Sequence, residues 1–302
     1  MIITKSLYAV DDFLCRKTDW RIRPHCPLLC VCLRAQIVSV AALLKSIKGD
    51  IASPMALNTD QISRYARHLT LREIGGPGQN ALLAANVAII GAGGLGGPAG
   101  LYLAAAGVGR VTIIDDDIVE ASNLQRQVQF IHSDIGMGKA QIMGDTLEDL
   151  NPDCVVTRVN ARLTPENASD RLSGHDVILD GTDNFDARFA INAASRELGI
   201  PLVSGALGRF DLQLGVFNIS EASPCYRCFV HEAPDIEQDC ATHGVLGAMA
   251  GMGGSMMAME AIKQITGAGE MLDGRLYVFD ALRGQGRTIS LSKDPDCPVC
   301  GT

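Results

Sequence analysis

The chain has 302 residues, 47% of them hydrophobic and 20% charged, with a formal net charge of −8. Such a chain buries too much apolar surface to be disordered, and its acidic balance excludes the basic face of a nucleic-acid binder, so any small anionic substrate must be met by local cations. Ten cysteines, including two CxxC pairs in a long chain, suit metal ligation in a reducing, cytoplasmic compartment better than a disulfide framework.

Residues 1–54 carry Cys15, Cys26, Cys30 and Cys32 and the only tryptophan, Trp20, without regular periodicity. We read them as an N-terminal extension, disordered or upstream of a true start at Met55, since NTDQISRYARH then opens the domain as an N-capped helix. The apolar stretch within it is broken by Arg34 and Gln36 and falls short of the run of about 18 apolar residues that a membrane span needs. No basic segment followed by an uninterrupted apolar core marks it as a targeting peptide.

Residues 55–302 show no linker or repeat and are expected to form one domain. NVAIIG and RVTIIDDD read as buried strands, separated by a glycine turn and an Ala- and Leu-rich helix. GKAQIMGDTLEDLN reads as a helix, CVVTRVNARL and HDVILD as strands, NFDARFAINAASREL as a helix and IPLVSGA as a strand. This alternation predicts a Rossmann-like, doubly wound, mostly parallel α/β sheet. LQLGVFNIS and RLYVFDALRGQGRTISLS add antiparallel strands, with the Met-rich helix VLGAMAGMGGSMMAMEAIKQI between them.

Gly91, Gly93, Gly94 and Gly96 come directly after the first strand, where absent side chains let phosphates approach backbone amides at a helix N-terminus. Asp115 closes the next strand at the distance of about 20 residues usual for an acid that binds ribose hydroxyls. The turn alone favours a nicotinamide dinucleotide, and an NAD-dependent oxidoreductase is one reading. The segment beyond Asp115 is unlike that of a dehydrogenase. Asn123 and Arg126 lie just past the strand end and Lys139 opens the next helix, so two cations converge where phosphates would lie, unless both are ordinary surface charges. Asp180-Gly181-Thr182-Asp183-Asn184 places carboxylates at another strand end, suited to Mg²⁺ or to capping the next helix; we place Asp183 rather than Asp180 on the metal.

Cys225, Cys228, Cys297 and Cys300 form two knuckle-spaced pairs, the thiolate set of a closed structural Zn²⁺ site that clamps the end of the chain to its middle; two disulfides are the alternative. Cys240 lies outside both pairs, as nucleophile or bystander.

The ordered motifs RYARH, GAGGLG, SNLQRQ, the lysine of GMGKAQ, GTDN, CYRC, AMEAIK and CPVCG, spanning residues 60–302, resemble the ThiF/MoeB/HesA adenylyltransferases, which are similar to ubiquitin-activating enzymes. The resemblance implies ATP-dependent adenylation of the Gly-Gly terminus of a ubiquitin-like sulfur carrier in molybdopterin or thiamine biosynthesis. It places Asp115 on the ribose, Asn123, Arg126 and Lys139 on the phosphates and Asp183 on Mg²⁺. Arg67 would reach the ATP of the other subunit of a homodimer, and Cys240 would match a loop cysteine proposed in some members to bond to the carrier. With no sulfurtransferase segment after Cys300, a separate persulfide donor is expected. PAGLYLAAAGVG and CPVCG lean toward the thiamine branch, while AMEAIK and CYRC are shared. The alternatives kept are the oxidoreductase and a zinc-stabilised scaffold without catalysis.

Overall fold

The computed structural model of the protein describes residues 57–233 and 244–301; the extension expected over residues 1–54 and the loop cysteine Cys240 lie outside the described residues. Asn58 caps the first helix as its sequence predicts: its side chain accepts from the Gln61 amide at 2.8 Å and Gln61 Oε1 accepts from the Asn58 amide at 3.1 Å, so two otherwise unmet donors are satisfied. The expected single helix is two short ones, α1 (Thr59–Arg64) and α2 (Ala66–Leu69). The break falls at Tyr65, whose ring is buried and whose hydroxyl accepts from Asn151 Nδ2 at 2.9 Å. Helix α3 (Gly75–Ala84) was not anticipated, because its GGPG start has the composition of a turn. Pro77 is tolerated there, since the first helical turn needs no amide hydrogen.

The alternation then runs β1 (Asn86–Ile90), α4 (Gly96–Ala106), β2 (Arg110–Ile114), α5 (Lys139–Leu150), β3 (Val155–Val159), α6 (Ala168–Leu172), β4 (Val177–Asp180), α7 (Phe185–Leu198) and β5 (Leu202–Leu207). It continues as β6 (Asp211–Phe217), α8 (Tyr226–Phe229), α9 (Gly247–Thr266), β7 (Arg275–Asp280) and β8 (Gln285–Ser290). Strand β3 ends at Val159 instead of reaching Leu163, because Ala161, Arg162 and Leu163 leave the sheet to wall a cleft. Among the described residues, all strands form one eight-stranded sheet ordered β3-β2-β1-β4-β5-β6-β7-β8. Its pairs are parallel from β3 to β5 and antiparallel from β5 to β8, as expected for a doubly wound sheet extended by a meander.

Strand β1 shows why the sequence carries unbroken apolar runs. Val87 and Ile89 enter the core beneath α4, α5 and α9, while Ala88 and Ile90 enter the opposite core with α6 and α7. A strand covered on both faces has no polar side to alternate. The described helices contain no span long and apolar enough to cross a membrane.

The chain leaves β1 toward β2 on one side, and β4 pairs with β1 on the other. This is the point at which open α/β sheets form a crevice beyond the carboxyl ends of their strands. The turn that opens it depends on two glycines. Gly91 has φ +88°, a left-handed conformation that a side chain would strain. A Cβ on Gly96 would lie 1.8 Å from the Gly91 carbonyl oxygen, a backbone atom that cannot swing aside. Gly96→Ala is therefore expected to cost about 3 kcal/mol, the upper part of the overpacking range. Thermal denaturation of the variant checks this, and an unchanged midpoint would mean that the turn relaxes freely.

Candidate active site

A cleft of about 230 Å³ occupies the switch point. Gly91, Gly93 and Gly94 form one wall, Asp115 and Asp117 a second, and Thr182, Asp183 and Asn184 a third, with Arg126 and Lys139 between the first two. Each wall is the loop after a parallel strand, so the fold brings together residues far apart in sequence.

Asp115 is held by backbone alone: its Oδ2 accepts from the Ala92 amide at 2.7 Å and its Oδ1 from the Asp117 amide at 2.8 Å. Burial pushes its carboxyl above the ordinary value of 3.8, opposed by those two amides and by the charge of Lys139. Lys139, nearly buried, lies 2.8 Å from Asp117 Oδ2, and its amide donates to the Asp117 carbonyl at 2.9 Å. The ammonium is thereby fixed in direction at the cleft wall. Arg126 donates to the Ser122 carbonyl at 3.0 Å and otherwise faces the cleft.

The two carboxylates after β4 divide sharply. Asp180 is 1% exposed and accepts from the Thr182 amide at 3.0 Å, the Thr182 hydroxyl at 2.6 Å and the Ser204 hydroxyl at 2.7 Å. Its acceptor capacity is spent inside the fold. Asp183 is exposed on the cleft wall, and among the described residues no hydrogen bond or ion pair engages its carboxylate. Asn184 takes the capping role, accepting from the Ala187 amide at 2.9 Å at the start of α7. Capping and a free carboxylate thus coexist on adjacent residues.

Three expected residues stand off this wall. Gly96 serves the turn beneath it. Asn123 is buried, its Oδ1 accepting from the Glu120 amide at 3.2 Å to close a short 3-10 turn. Arg67 is exposed on α2 and is not among the residues that line the cleft.

Cys225, Cys228, Cys297 and Cys300 converge at α8, all buried, with their sulfurs within 4.8 Å of one another. Individual separations are 3.5 Å for Cys225 and Cys297, 4.0 Å for Cys225 and Cys228 and 3.3 Å for Cys228 and Cys300. A tetrahedron with metal–sulfur bonds near 2.3 Å has edges of about 3.8 Å, so the set fits a single ion. All four are free cysteines. Burial pushes the Cys225 and Cys300 thiols up. Against the same desolvation, the amides of Val299 and Cys300 hold Cys297 at about 7. A bound cation would deprotonate the remaining thiols.

A family model described as the ThiF family matches residues 65–299. The chain belongs to the ThiF family. It is 45% identical over 249 residues to the SAMP-activating enzyme E1 of Haloferax volcanii, covering 82% of this chain and 92% of that relative. It is 42% identical over 253 residues to a sulfur carrier protein adenylyltransferase of Thermus thermophilus, covering 82% and 93% of the two chains. The crystal structure of Escherichia coli MccB with ATP shares the fold, with a TM-score of 0.70 at 21% identity over 79% of this chain and 75% of that one.

Within this ThiF-family site, the polar residues that line the cleft but escape a reading of the sequence include Asp117, Gln127, Arg162 and Arg188. Asp117 and Gln127 neighbour Asp115 and Arg126, and the third acid of Asp115-Asp116-Asp117 is a usable signal. Arg188 carries a subtler one, since it lies one helical turn after the cap Asn184 and so points back to the start of its helix. Arg162 gives none, because the segment that carries it reads as strand.

Proposed function

We propose that this ThiF-family chain transfers AMP from ATP to the C-terminal carboxylate of a ubiquitin-like sulfur carrier ending in Gly-Gly, releasing pyrophosphate. The observation that carries the proposal is the convergence of the glycine turn, Arg126, Lys139 and the unengaged Asp183 on one cleft. A dinucleotide oxidoreductase has no use for the last three, and a scaffold has no use for any of them.

The carrier's terminal carboxylate is ionised at neutral pH, so its attack on the α-phosphorus needs no general base from the protein. One carboxylate oxygen forms the new P–O bond, the bond between the α-phosphorus and the β-bridging oxygen breaks, and pyrophosphate leaves with that electron pair. The work of the side chains is placement and charge neutralisation. Arg126 and Lys139 meet the phosphates, the carboxylate of Asp115 accepts from the ribose, and Asp183 would hold Mg²⁺, which supplies further neutralisation of phosphate charge when bound. Asn123, which is buried behind the wall, takes part only if its short turn moves on binding.

Arg67 belongs, in this reading, to the partner's site. Its exposure, and its absence from the lining of its own cleft, support that, as do Tyr102 on α4 and Met259 on α9, which expose 57% and 56% of their surface on helices that pack against each other and suit a homodimer interface. The four cysteines would hold Zn²⁺ as a structural clamp. A separate persulfide donor would convert the adenylated carrier to its sulfur-bearing form, with Cys240 assigned at most to that later step.

ATP–pyrophosphate exchange with Mg²⁺ and each candidate carrier is the direct test, with a carrier lacking its terminal glycine as control. Exchange with one intact carrier alone supports the proposal and identifies the pathway; ATP binding without exchange for any carrier would overturn it.

The elevated Asp115 carboxyl adds a pH dependence. Its folded value lies above its unfolded one, so folding is favoured by the protonated form, and this group's contribution to stability declines as pH rises through the folded value. Ribose binding runs the other way, because protonation removes an acceptor. ATP affinity measured by calorimetry is expected to weaken as pH falls toward the carboxylate range, and Asp115→Asn should flatten that limb. A flat profile in the unsubstituted protein would remove Asp115 from the ribose.

A further inference from the structure

Arg188 lines the cleft from α7 but is only 8% exposed, and its guanidinium is spent on the protein. Nη2 donates to the Thr182 carbonyl at 2.6 Å and to the Gly205 carbonyl at 3.1 Å, and Nη1 donates to the Tyr226 hydroxyl at 3.3 Å. Thr182 is therefore held from both sides. Arg188 grips its carbonyl, and the buried Asp180 grips its amide and hydroxyl. Asp183, the next residue, has no such support among the described residues, so the direction in which its carboxylate enters the cleft is inherited from Thr182.

The other end of this chain of contacts is the cysteine cluster. Tyr226 lies between Cys225 and Cys228, its amide donates to Asn192 Oδ1 on α7 at 2.8 Å, and its ring is packed by Phe217, Phe189 and Phe229. Gly205 belongs to β5, whose last residues, Ala206 and Leu207, form the far wall of the cleft. One buried cation thus ties together the loop after β4, the end of β5 and the cysteine knuckle. Three acceptors spread around one cation require the planar fork of an arginine, since a lysine ammonium is a single point with different angular reach.

We propose that Arg188 is a positioning residue that sets Asp183 for its divalent cation, and that Tyr226 anchors Arg188 to the cysteine knuckle. The proposal rests on the assignment of Asp183 to Mg²⁺ under the proposed function. It differs from a direct phosphate contact, which would act with or without metal.

The two roles separate in a measurement that needs no carrier. Mn²⁺ binding to the complex of the full chain with ATP is followed by electron paramagnetic resonance, and ATP binding without divalent cation is followed by calorimetry. Groups that orient a metal ligand change metal affinity by about tenfold to a hundredfold when removed. Arg188→Lys is expected to weaken Mn²⁺ binding by at least about tenfold, with metal-free ATP affinity and the metal content of the cysteine cluster unchanged. Tyr226→Phe, which deletes one hydroxyl from an otherwise intact ring, should shift Mn²⁺ affinity the same way by less, and so serves if Arg188→Lys fails to fold. Unchanged Mn²⁺ affinity in a folded Arg188→Lys, or in Tyr226→Phe if the lysine variant does not fold, would overturn the positioning role. An equal loss of metal-free ATP binding would overturn it in favour of direct contact. Failure of the unsubstituted protein to bind Mn²⁺ and ATP at all would remove the nucleotide assignment itself, and this proposal with it.

Discussion

Asp183→Ala should abolish ATP–pyrophosphate exchange while leaving the fold intact. Loss of one group that neutralises or positions charge in phosphoryl transfer costs about a hundredfold or more in rate. Asp183 is exposed and unengaged among the described residues, so no packing or hydrogen bond is lost with it and the melting temperature should hold. Asp180 makes the informative contrast. Its oxygens accept from Thr182 and Ser204 in a site 1% exposed, and Asp180→Ala leaves those donors without a partner, at about 1–3 kcal/mol for each donor that stays buried and unsatisfied. That variant is expected to lose stability and activity together. Cys240→Ala should exchange normally, because an ionised carboxylate needs no thiol to attack ATP. Normal exchange by Asp183→Ala would remove it from the cation, and loss of exchange by Cys240→Ala would refute the division between adenylation and sulfur transfer.

The separation of Asp180 from Asp183 shows where sequence reasoning holds and where it stops. Both acids are visible at the end of an apolar strand run, and the crevice beyond such strand ends follows from the order of elements alone. The choice of Asp183 over Asp180 is made from the sequence, but part of its physical reason is Ser204, a residue of β5 that meets Asp180 only because β4 and β5 are neighbours. Pair contacts of that kind have no local signature. The same holds for Arg188, whose partners at Thr182, Gly205 and Tyr226 come from three separate segments. The strand runs are legible because burial on both faces forbids polar alternation. Helix α3 is not, since its Gly-Pro start carries turn chemistry and the helix is stabilised by packing on α9. The cysteine cluster lies at the other extreme, because four ligands at knuckle spacing state their own geometry.

That cluster carries the largest expected effect on stability. Replacing Cys228 with serine, or stripping the metal with a chelator, should lower the melting temperature on the order of 10 °C. A structural zinc can supply on the order of 10 kcal/mol to a small domain that is unfolded without it. Here a bound ion would serve a chain with two extended cores of its own, so the expected cost is smaller, about 3 kcal/mol, which for a domain of this size corresponds to roughly that shift. The loss should concentrate where the knuckle meets the sheet, because Cys297 and Cys300 hold the end of the chain against α8, and Tyr226 on α8 carries the aromatic packing over α7. Cys154 is the control: it is also buried, and burial pushes its thiol up to about 11, but it lies outside the cluster, so Cys154→Ser should keep a full complement of metal and an unaltered response to chelator. Calorimetric melting with and without chelator, together with zinc analysis per chain, decides the matter. Metal-free protein that melts at the same temperature as the metal-loaded form would show that the four thiols pack as a simple apolar knot, and the clamp would have to be attributed to side-chain burial alone.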